Sequence, residues 1–361
     1  MDKTKKIKSD NYSVFISDNI FNDINIFLQK PEYSDSKFFI LVDKNVVKYC
    51  LSQLIAKVDS LKQANIIEIE AGEGNKTIDT SKYLWQKLTD MRADRKSVVI
   101  NFGGGMISDI GGFVASTFKR GISFINIPTT LLSQVDASIG GKVGIDFKGI
   151  KNQIGLFKNP EAVFINTDFL KTLNKKSLLS GFAEIVKYSL IADKYFWNII
   201  KNSPFENIKN WKTLIIRSLE LKNNIVISDP KEQDLRKILN FGHTVGHAFE
   251  SYSLLNDKRP LLHGEAVAMG IICESYLSYK CAALTKNELN EIVYFMLSNF
   301  RFYPIKQNSF NDLYDIMLND KKNSKKEINF TLISCIGKSL INQKCEKDLI
   351  LQGLDYYKNL K

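Results

Sequence analysis

All three histidines of the chain lie within one short stretch, between positions 243 and 263. His243 and His247 stand four residues apart in the segment NFGHTVGH, and His263 opens the segment HGE. Residues four apart share one face of an α-helix, so the first pair would point the same way. Imidazole is the commonest protein ligand for catalytic metals and titrates near neutral pH. The clustering therefore predicts a site of chemistry, with three unrelated structural histidines as the alternative.

A carboxylate could complete a set of three metal ligands, and Glu184 is the most attractive candidate. It lies in GFAEIVK, an otherwise apolar helical run where an unpaired carboxylate is costly to bury. The alternative is an exposed glutamate that pairs with Lys187. Two histidines and one glutamate form a catalytic type of zinc set with an open coordination position.

HxxxH is also the spacing of metalloprotease helices, but Thr244 replaces their catalytic Glu, which argues against a peptidase.

A glycine-rich loop suggests a second ligand. Residues 103–105 are three glycines that follow a strand-like stretch, 97–102, and precede a helical pattern. Backbone N–H groups at such a turn can bind phosphate, although a tight turn without a ligand is equally compatible. The GxGxxG fingerprint is absent, since Ser108 stands where the last glycine would be, and the P-loop is absent because no Gly-Lys-Ser/Thr follows at the required spacing. Polar residues suited to a ligand held close to the backbone follow at Thr129, Thr130, Asp136, Lys142, Lys151 and Asn152.

Composition narrows the class of protein. With 361 residues, 44% of them hydrophobic and 25% charged, the chain is typical of a globular protein. No apolar run reaches the ~20 residues of a membrane helix, and the charged N-terminus is unlike a secretory signal. Five scattered cysteines indicate reduced thiols in a cytoplasmic protein. The net charge of +11 comes from 43 Lys and only 7 Arg spread along the chain, which disfavours nucleic acid and is compatible with an anionic substrate.

Hydrophobic patterns predict two domains, 1–170 and 171–361, with a ligand cleft between them. Strand-like stretches at 38–43, 66–69, 97–102 and 123–127 alternate with helical stretches such as 77–91, which predicts an α/β domain with a mostly parallel sheet. The second half is predicted to be mostly α-helical, with one clear strand at 328–334. Its predicted helices span 178–191, 195–201, 211–227, 235–253, 264–281 and 286–299.

Together these motifs resemble the 3-dehydroquinate synthase family, over about residues 35 to 340. The resemblance implies an α/β N-terminal domain with a Rossmann-like NAD site and an α-helical domain that binds metal and substrate. The motifs that carry it are GGG (103–105) with Asp109, Arg120-Gly121, PTTLL (128–132), Asp136 with GGK (140–142), Lys151-Asn152, GFAE (181–184) with Lys187, LNFGHTVGH (239–247), HGE (263–265) and DKK (320–322).

The resemblance also implies a role for each matching residue. Glu184, His243 and His263 would hold a divalent metal, zinc or cobalt, whereas His247 would contact substrate and relay protons. Residues implied to bind substrate are Lys142, Asn152, Lys187, Lys222, Arg236, Asn240 and, for the phosphate, Lys321 or Lys322. Residues implied to bind NAD are Asp43, Asn45, Glu73, Lys76, Gly104, Gly105, Asp109, Thr129, Thr130, Asp136, Lys142, Lys151, Phe169 and Thr172. Arg120 would reach the site of a neighbouring subunit in a homodimer.

The implied activity is that of a lyase of the shikimate pathway, which leads to aromatic amino acids. It converts 3-deoxy-D-arabino-heptulosonate 7-phosphate into 3-dehydroquinate and phosphate. The implied steps are transient oxidation by NAD, β-elimination of phosphate, reduction and intramolecular aldol closure. Two enzymatic alternatives share the ligand set: another sugar-phosphate cyclase, and a metal- and NAD-dependent polyol dehydrogenase that would release NADH. The complete ligand set and the lysines disfavour a non-enzymatic binding protein.

Overall fold

The structure is a computed structural model that describes residues 4–148, 150–203, 205–319 and 327–360. Its contacts divide the chain into two compact units, Met1–Asn174 (unit 1) and Lys175–Lys361 (unit 2). Lys321 and Lys322, the predicted phosphate-binding residues, lie outside the described residues. Within the described ranges, no helix combines the length and the apolar character needed to span a bilayer.

Unit 1 contains a seven-stranded sheet. Its strands, together with a separate hairpin, are β1 (Lys5–Lys8), β2 (Ser13–Ser17), β3 (Phe38–Asp43), β4 (Asn65–Ile69), β5 (Val98–Gly103), β6 (Ser123–Pro128), β7 (Lys142–Phe147), β8 (Ile150–Phe157) and β9 (Ala162–Asn166). The sheet order is β1-β2-β9-β6-β5-β3-β4, and only the β1–β2 pair of this sheet is antiparallel. β7 and β8 pair with each other. The mostly parallel sheet and the four strands predicted for it are confirmed, each within one residue.

Helices cover both faces of this sheet, which explains its long apolar strands. Along β3 the side chains alternate between two apolar clusters: Ile40 and Val42 pack in one, Phe39 and Leu41 in the other. The helices of unit 1 are α1 (Phe21–Leu28), α2 (Lys44–Val46), α3 (Ser52–Lys57), α4 (Ile78–Asp90) and α5 (Gly105–Thr117). A π-helical turn, Val47–Leu51, links α2 to α3.

Unit 2 is mostly helical, as predicted. Its helices are α6 (Lys175–Ala192), α7 (Lys194–Lys201), α8 (Trp211–Ser228), α9 (His243–Asn256), α10 (His263–Cys281), α11 (Lys286–Asn299), α12 (Phe310–Leu318) and α13 (Lys347–Lys358). The predicted strand is β10 (Asn329–Cys335), which pairs with β11 (Lys338–Lys344). The prediction of one continuous helix over 235–253 is wrong. A 3-10 helix, Leu235–Asn240, ends before Gly242, whose positive φ of 77° separates it from α9.

Helices α9 and α10 make backbone-to-backbone contact at glycines. A Cβ on Gly270 of α10 would lie 1.9 Å from the Gly242 carbonyl oxygen, and one on Gly246 would lie 3.1 Å from the Ala266 carbonyl oxygen. The absence of side chains at Gly242 and Gly246 therefore admits the backbone of α10. Because His243 and His263 are the first residues of these two helices, the contact also determines how closely the two imidazoles approach.

We expect Gly270→Ala to destabilise the protein by about 3 kcal/mol, because the new methyl group overlaps backbone that cannot rotate away. The matched control is Gly353→Ala in α13, where the nearest atom, Leu277 Cδ2, would lie 3.4 Å from the new methyl group. That variant should unfold like the wild type or gain up to about 1 kcal/mol from helix propensity. Urea unfolding measures both values, and equal stability of the two variants would contradict the close contact.

Candidate active site

Three side chains that could hold a metal ion converge from three helices of unit 2. Glu184 lies inside α6 and is fully buried, whereas His243 and His263 begin α9 and α10. The Nε2 atoms of both histidines lie 3.4 Å from Glu184 Oε1. One ligand atom from each residue lies within 4.8 Å of the other two. The alternative of an exposed helical Glu184 is therefore wrong, although its ion pair with Lys187 does exist.

The hydrogen bonds of the two imidazoles orient their Nε2 atoms. His243 Nδ1 lies 3.1 Å from the Phe241 carbonyl oxygen, and His263 Nδ1 lies 3.3 Å from Glu250 Oε2. When each Nδ1–H donates to its acceptor, the Nε2 lone pairs face Glu184 Oε1. A metal-ligating histidine commonly has this arrangement, in which its other nitrogen donates to a carboxylate or carbonyl.

The spacing of these atoms fits a small divalent cation. Ligand atoms bound tetrahedrally at about 2.0–2.1 Å from zinc are about 3.3 Å apart, close to the 3.4 Å observed. Within the described residues, neither oxygen of Glu184 accepts a well-formed hydrogen bond. Lys187 pairs with Oε2 and leaves Oε1 facing the two imidazoles. The donors thus suit zinc or a similar ion.

Burial and neighbouring charges shift the pKa values of Glu184, His243 and His263 in different directions. Burial would raise the pKa of Glu184, but Lys187 and then His243 hold it well below its usual range. Burial lowers the pKa of His243 to about 4, with Lys187 adding to the effect. Burial also opposes charge on His263, yet Glu250 and Glu184 outweigh it and raise the pKa of His263 to about 10. Without an ion, His263 therefore carries the proton that balances the carboxylates.

His247 lies beside this set. Its ring centroid is 5.2 Å from that of His243 and 6.0 Å from that of His263. His247, Glu250 and His263 form a second group whose ligand atoms lie within 4.8 Å of one another. Glu250 already lies at the Nδ1 nitrogen of His263, so the group is better explained as the support of the first set. The side chain of His247 is half-buried and adjoins His243 and His263.

Two carboxylates that support the set were missed in the sequence. Glu250 follows His243 by seven residues and His247 by three, a helical spacing that could have revealed it. Glu274 is fully buried in α10 and accepts hydrogen bonds from the backbone N–H groups of Gly242 (2.6 Å) and Val245 (3.0 Å). It thereby caps the first turn of α9 from the neighbouring helix. Like Glu184, it is a carboxylate in an apolar helical run, and the same reasoning could have found it.

Unit 2 also buries the cations predicted to bind substrate. Lys187, Lys222 and Arg236 are each no more than 5% exposed. They lie on α6, on α8 and on the 3-10 helix Leu235–Asn240, which pack against one another. Asn240 Nδ2 donates to Glu232 Oε1 at 2.9 Å. Glu232 was not predicted from the sequence. Lys187 pairs with Glu184, and Arg236 donates to the Pro230 carbonyl oxygen at 2.7 Å. The three cations concentrate positive charge in this region, which suits a ligand with negative groups.

In unit 1, the predicted NAD residues follow the carboxyl ends of five neighbouring parallel strands. Since β9, β6, β5, β3 and β4 are consecutive in the sheet, these ends share one edge, where nucleotides bind in such folds. A Cβ on Gly104 would lie 3.1 Å from Thr130 Cγ2, so the loops after β5 and β6 touch. The residues at this edge are Asp43 at the end of β3 and Asn45 after it, Glu73 and Lys76 after β4, Gly104 and Gly105 after β5, Thr129 and Thr130 after β6, and Phe169 and Thr172 after β9.

Lys76 forms the centre of a charged cluster in unit 1. It is 2% exposed, and its Nζ lies 2.6 Å from Glu73, 3.2 Å from Asp109 and 2.7 Å from Asn152 Oδ1. Burial would lower the pKa of Lys76, but the surrounding carboxylates, Asp109 first, raise it overall. Burial raises the pKa of Asp109 to about 6 against the opposing effect of Lys76. Lys151 Nζ approaches Glu73 at 3.7 Å, so two predicted NAD lysines meet one carboxylate.

Asp146 was missed in the sequence and shapes the same cluster. Its Oδ1 lies 3.6 Å from Lys76 Nζ and accepts the backbone N–H of Asn152 at 2.7 Å. Asn152 has a positive φ of 50°, a strained conformation that this bond helps to hold. Nothing in the local pattern of β7 marks Asp146 as functional.

The remaining predicted residues of unit 1 differ in how far they are exposed. The Phe169 side chain is 1% exposed and packs against Phe102 in the core, so only its backbone is available to a ligand. Arg120 is exposed in the turn after α5, with a positive φ of 71°. Asp136 is half-buried, and Lys142 is exposed at the start of β7.

Solved structures with the same fold include two synthases that contain NAD+ and a divalent metal ion. A 2-deoxy-scyllo-inosose synthase complexed with carbaglucose-6-phosphate, NAD+ and Co2+ superposes with a TM-score of 0.85 at 21% identity, covering 98% of this chain and 99% of that one. A 2-epi-5-epi-valiolone synthase from Streptomyces hygroscopicus, with NAD+ and Zn2+ bound, has a TM-score of 0.83 at 24% identity, covering 99% and 100%. An iron-containing alcohol dehydrogenase reaches 0.67 at 12% identity over 97% and 98%. The chain therefore shares its fold with these two synthases and, at a lower TM-score, with the dehydrogenase.

Sequence comparison identifies the family to which the chain belongs. Family models of the 3-dehydroquinate synthase N-terminal and C-terminal domains match residues 66–180 and 181–323. A 3-dehydroquinate synthase from Parabacteroides distasonis is 42% identical over 347 residues, 96% of this chain and 97% of the relative. One from Campylobacter jejuni subsp. doylei is 37% identical over 356 residues, 97% of each. The chain belongs to the 3-dehydroquinate synthase family.

We expect Glu250→Gln to weaken zinc binding by about 10- to 100-fold, the usual effect of losing a carboxylate behind a histidine ligand. The measurement is competition for zinc against a chromophoric chelator. The control is Glu265→Gln, which removes the same charge two residues from His263 but retains an oxygen for the Leu262 N–H, now 2.9 Å from Glu265. Zinc affinity of Glu250→Gln equal to that of the control would contradict the supporting role.

Proposed function

We propose that this protein is a 3-dehydroquinate synthase of the shikimate pathway. It converts 3-deoxy-D-arabino-heptulosonate 7-phosphate into 3-dehydroquinate and inorganic phosphate. The observation that carries the proposal is the convergence of Glu184, His243 and His263 in a chain of this family. The similarity to 3-dehydroquinate synthases over nearly the whole chain supports this substrate over those of other cyclases.

NAD and a divalent metal, zinc or cobalt, are the proposed cofactors. When bound, NAD accepts and returns a hydride, and the ion lowers the pKa of the substrate hydroxyl that is oxidised. Glu184, His243 and His263 would hold the ion in unit 2. In unit 1, NAD would bind at the edge where β3 to β6 and β9 end, with backbone N–H groups of Gly104 and Gly105 near its phosphates. The other NAD contacts we propose there are Asp43, Asn45, Glu73, Lys76, Asp109, Thr129, Thr130, Asp136, Lys142, Lys151, Phe169 and Thr172.

The buried cations of unit 2 would bind the anionic groups of the substrate. Its carboxylate and phosphate each need charge-assisted hydrogen bonds, which Lys187, Lys222 and Arg236 can donate. Asn240 has its amide fixed by Glu232 and can orient a hydroxyl. From unit 1 we propose Lys142 and Asn152 as further substrate contacts, and Lys321 or Lys322 as a partner of the phosphate.

His247 is the residue we assign to proton transfer. It adjoins both histidine ligands, and a half-buried imidazole can reach substrate while it exchanges protons with solvent. Lys187 has a double role in this proposal, because it pairs with Glu184 and so links the ligand set to the substrate site.

The direct test is incubation with the seven-carbon phosphate substrate, NAD and zinc. Phosphate and 3-dehydroquinate should appear in equal amounts, with no net absorbance from NADH. A polyol dehydrogenase would instead accumulate NADH, and another cyclase would leave this substrate unchanged. Either of those results would overturn the proposed function.

Two histidine variants should separate metal binding from proton transfer. His247→Ala should keep its zinc and lose about 10²- to 10⁴-fold in turnover, the usual contribution of an acid–base group. His243→Ala should lose both zinc and activity. Zinc content measured by atomic emission, beside phosphate release, distinguishes them. A His247→Ala protein purified without zinc would show that its role is misassigned.

We further propose a cytoplasmic homodimer. The cytoplasm is supported by the five cysteines, which are all free thiols. Arg120 is exposed and would complete the active site of the partner subunit.

This predicts complementation between two inactive variants, Arg120→Ala and His243→Ala. An equal mixture, unfolded and refolded together, should recover about a quarter of wild-type activity, because half the dimers are mixed and one site in each is intact. Each variant refolded alone is the control. A mixture no more active than its parts would exclude Arg120 from the partner's site.

A further inference from the structure

Two cysteines of unit 2 lie side by side away from the metal-ligand set. Cys281 is the last residue of α10, and Cys345 lies between β11 and α13. Their Sγ atoms are 3.8 Å apart, although 64 positions separate them in the chain. Cys281 is exposed and Cys345 is partly exposed, whereas Cys50 and Cys273 are buried. An oxidant dissolved in water can therefore reach this pair.

The packing of α10 against α13 holds the two thiols together. Tyr276 and Tyr356 stack with ring centroids 4.5 Å apart, and Gly353 lets α13 approach Leu277. Cys281 Sγ donates to the Leu277 carbonyl oxygen at 3.0 Å. A disulfide needs its sulfurs about 2.05 Å apart, so closure requires a rotation about the Cys281 side chain that breaks this bond. The exposed end of a helix permits such a rotation.

We propose that Cys281 and Cys345 are a redox-active thiol pair that closes to a reversible disulfide on exposure to hydrogen peroxide. The hydrogen bond from Cys345 lowers the pKa of Cys281 to about 7, and the same bond raises the pKa of Cys345. Cys281 is thus the sulfur that reacts first, because the thiolate is the nucleophile.

The reaction balances with peroxide as the oxidant. The Cys281 thiolate attacks one peroxide oxygen, the O–O bond breaks, and the departing hydroxide takes up a proton to form water. Cys281 is then a sulfenic acid, oxidised by two electrons. The Cys345 sulfur attacks it, the S–O bond breaks, and the oxygen leaves with the Cys345 proton as a second water. Two thiols and one peroxide thus give one disulfide and two waters, and a dithiol reverses the change.

The test treats zinc-loaded protein with a small excess of hydrogen peroxide. The wild type should lose two titratable thiols and about 2 Da, with the peptides of Cys281 and Cys345 joined, and dithiothreitol should restore both thiols. Cys345→Ser should stop at a sulfenic acid on Cys281 that dimedone captures. Cys281→Ser should keep Cys345 reduced at the same peroxide dose.

The remaining cysteines provide the internal reference. Cys50 and Cys273 should stay reduced because they are buried, and the zinc content should not change because the proposed ligands contain no sulfur. The proposal is overturned if Cys335 reacts before Cys281, or if oxidation joins Cys281 to a second chain instead of to Cys345. Failure here would leave the proposed synthase activity unaffected, since the assay of phosphate release is independent of these thiols.

Discussion

A buried carboxylate is the constraint on which the rest of unit 2 depends. Glu184 is fully enclosed in α6, and removing an ionised carboxylate from water costs several kcal/mol even after relaxation. Lys187 offsets part of that cost at Oε2. Oε1 faces two imidazole nitrogens at 3.4 Å, a separation long for a hydrogen bond but suited to a shared cation. Without an ion, Lys187 and protonated His263 balance the charge of Glu184, and in the proposed chemistry a divalent ion would take the place of that proton.

The packing of helices α9 and α10 places His243 and His263 next to Glu184. Gly242 and Gly270 let the backbones of α9 and α10 touch, and Glu274 caps α9 from α10. Both helices then begin with a histidine directed at Glu184. Precise placement matters because a metal tolerates errors of only about 0.2 Å in its ligand distances. Burying a second carboxylate, Glu274, costs free energy. Its hydrogen bonds to α9 in turn make the placement of His243 rigid.

The sequence allowed much of this to be predicted, and two of the exceptions, Gly242 and Asp146, share a cause. Glu184 could be predicted because a carboxylate in an apolar helix is costly to bury without a partner. The strands around 38–43 and 97–102 could be predicted from their apolar patterns. The break at Gly242 was missed, because the helical pattern continues across it and only the contact with α10 favours a left-handed residue there. Asp146 acts through Lys76 and Asn152, which lie 70 and 6 positions away. Such partners depend on how elements pack, which local patterns do not encode.

The central claim is that one carboxylate oxygen and two imidazole nitrogens bind a single ion. X-ray absorption at the zinc edge of the loaded wild-type protein tests it most directly. The account predicts a shell of nitrogen and oxygen donors at about 2.0–2.1 Å, with the outer-shell scattering of two imidazole rings. A sulfur ligand at about 2.3 Å, or a shell without imidazole scattering, would contradict it.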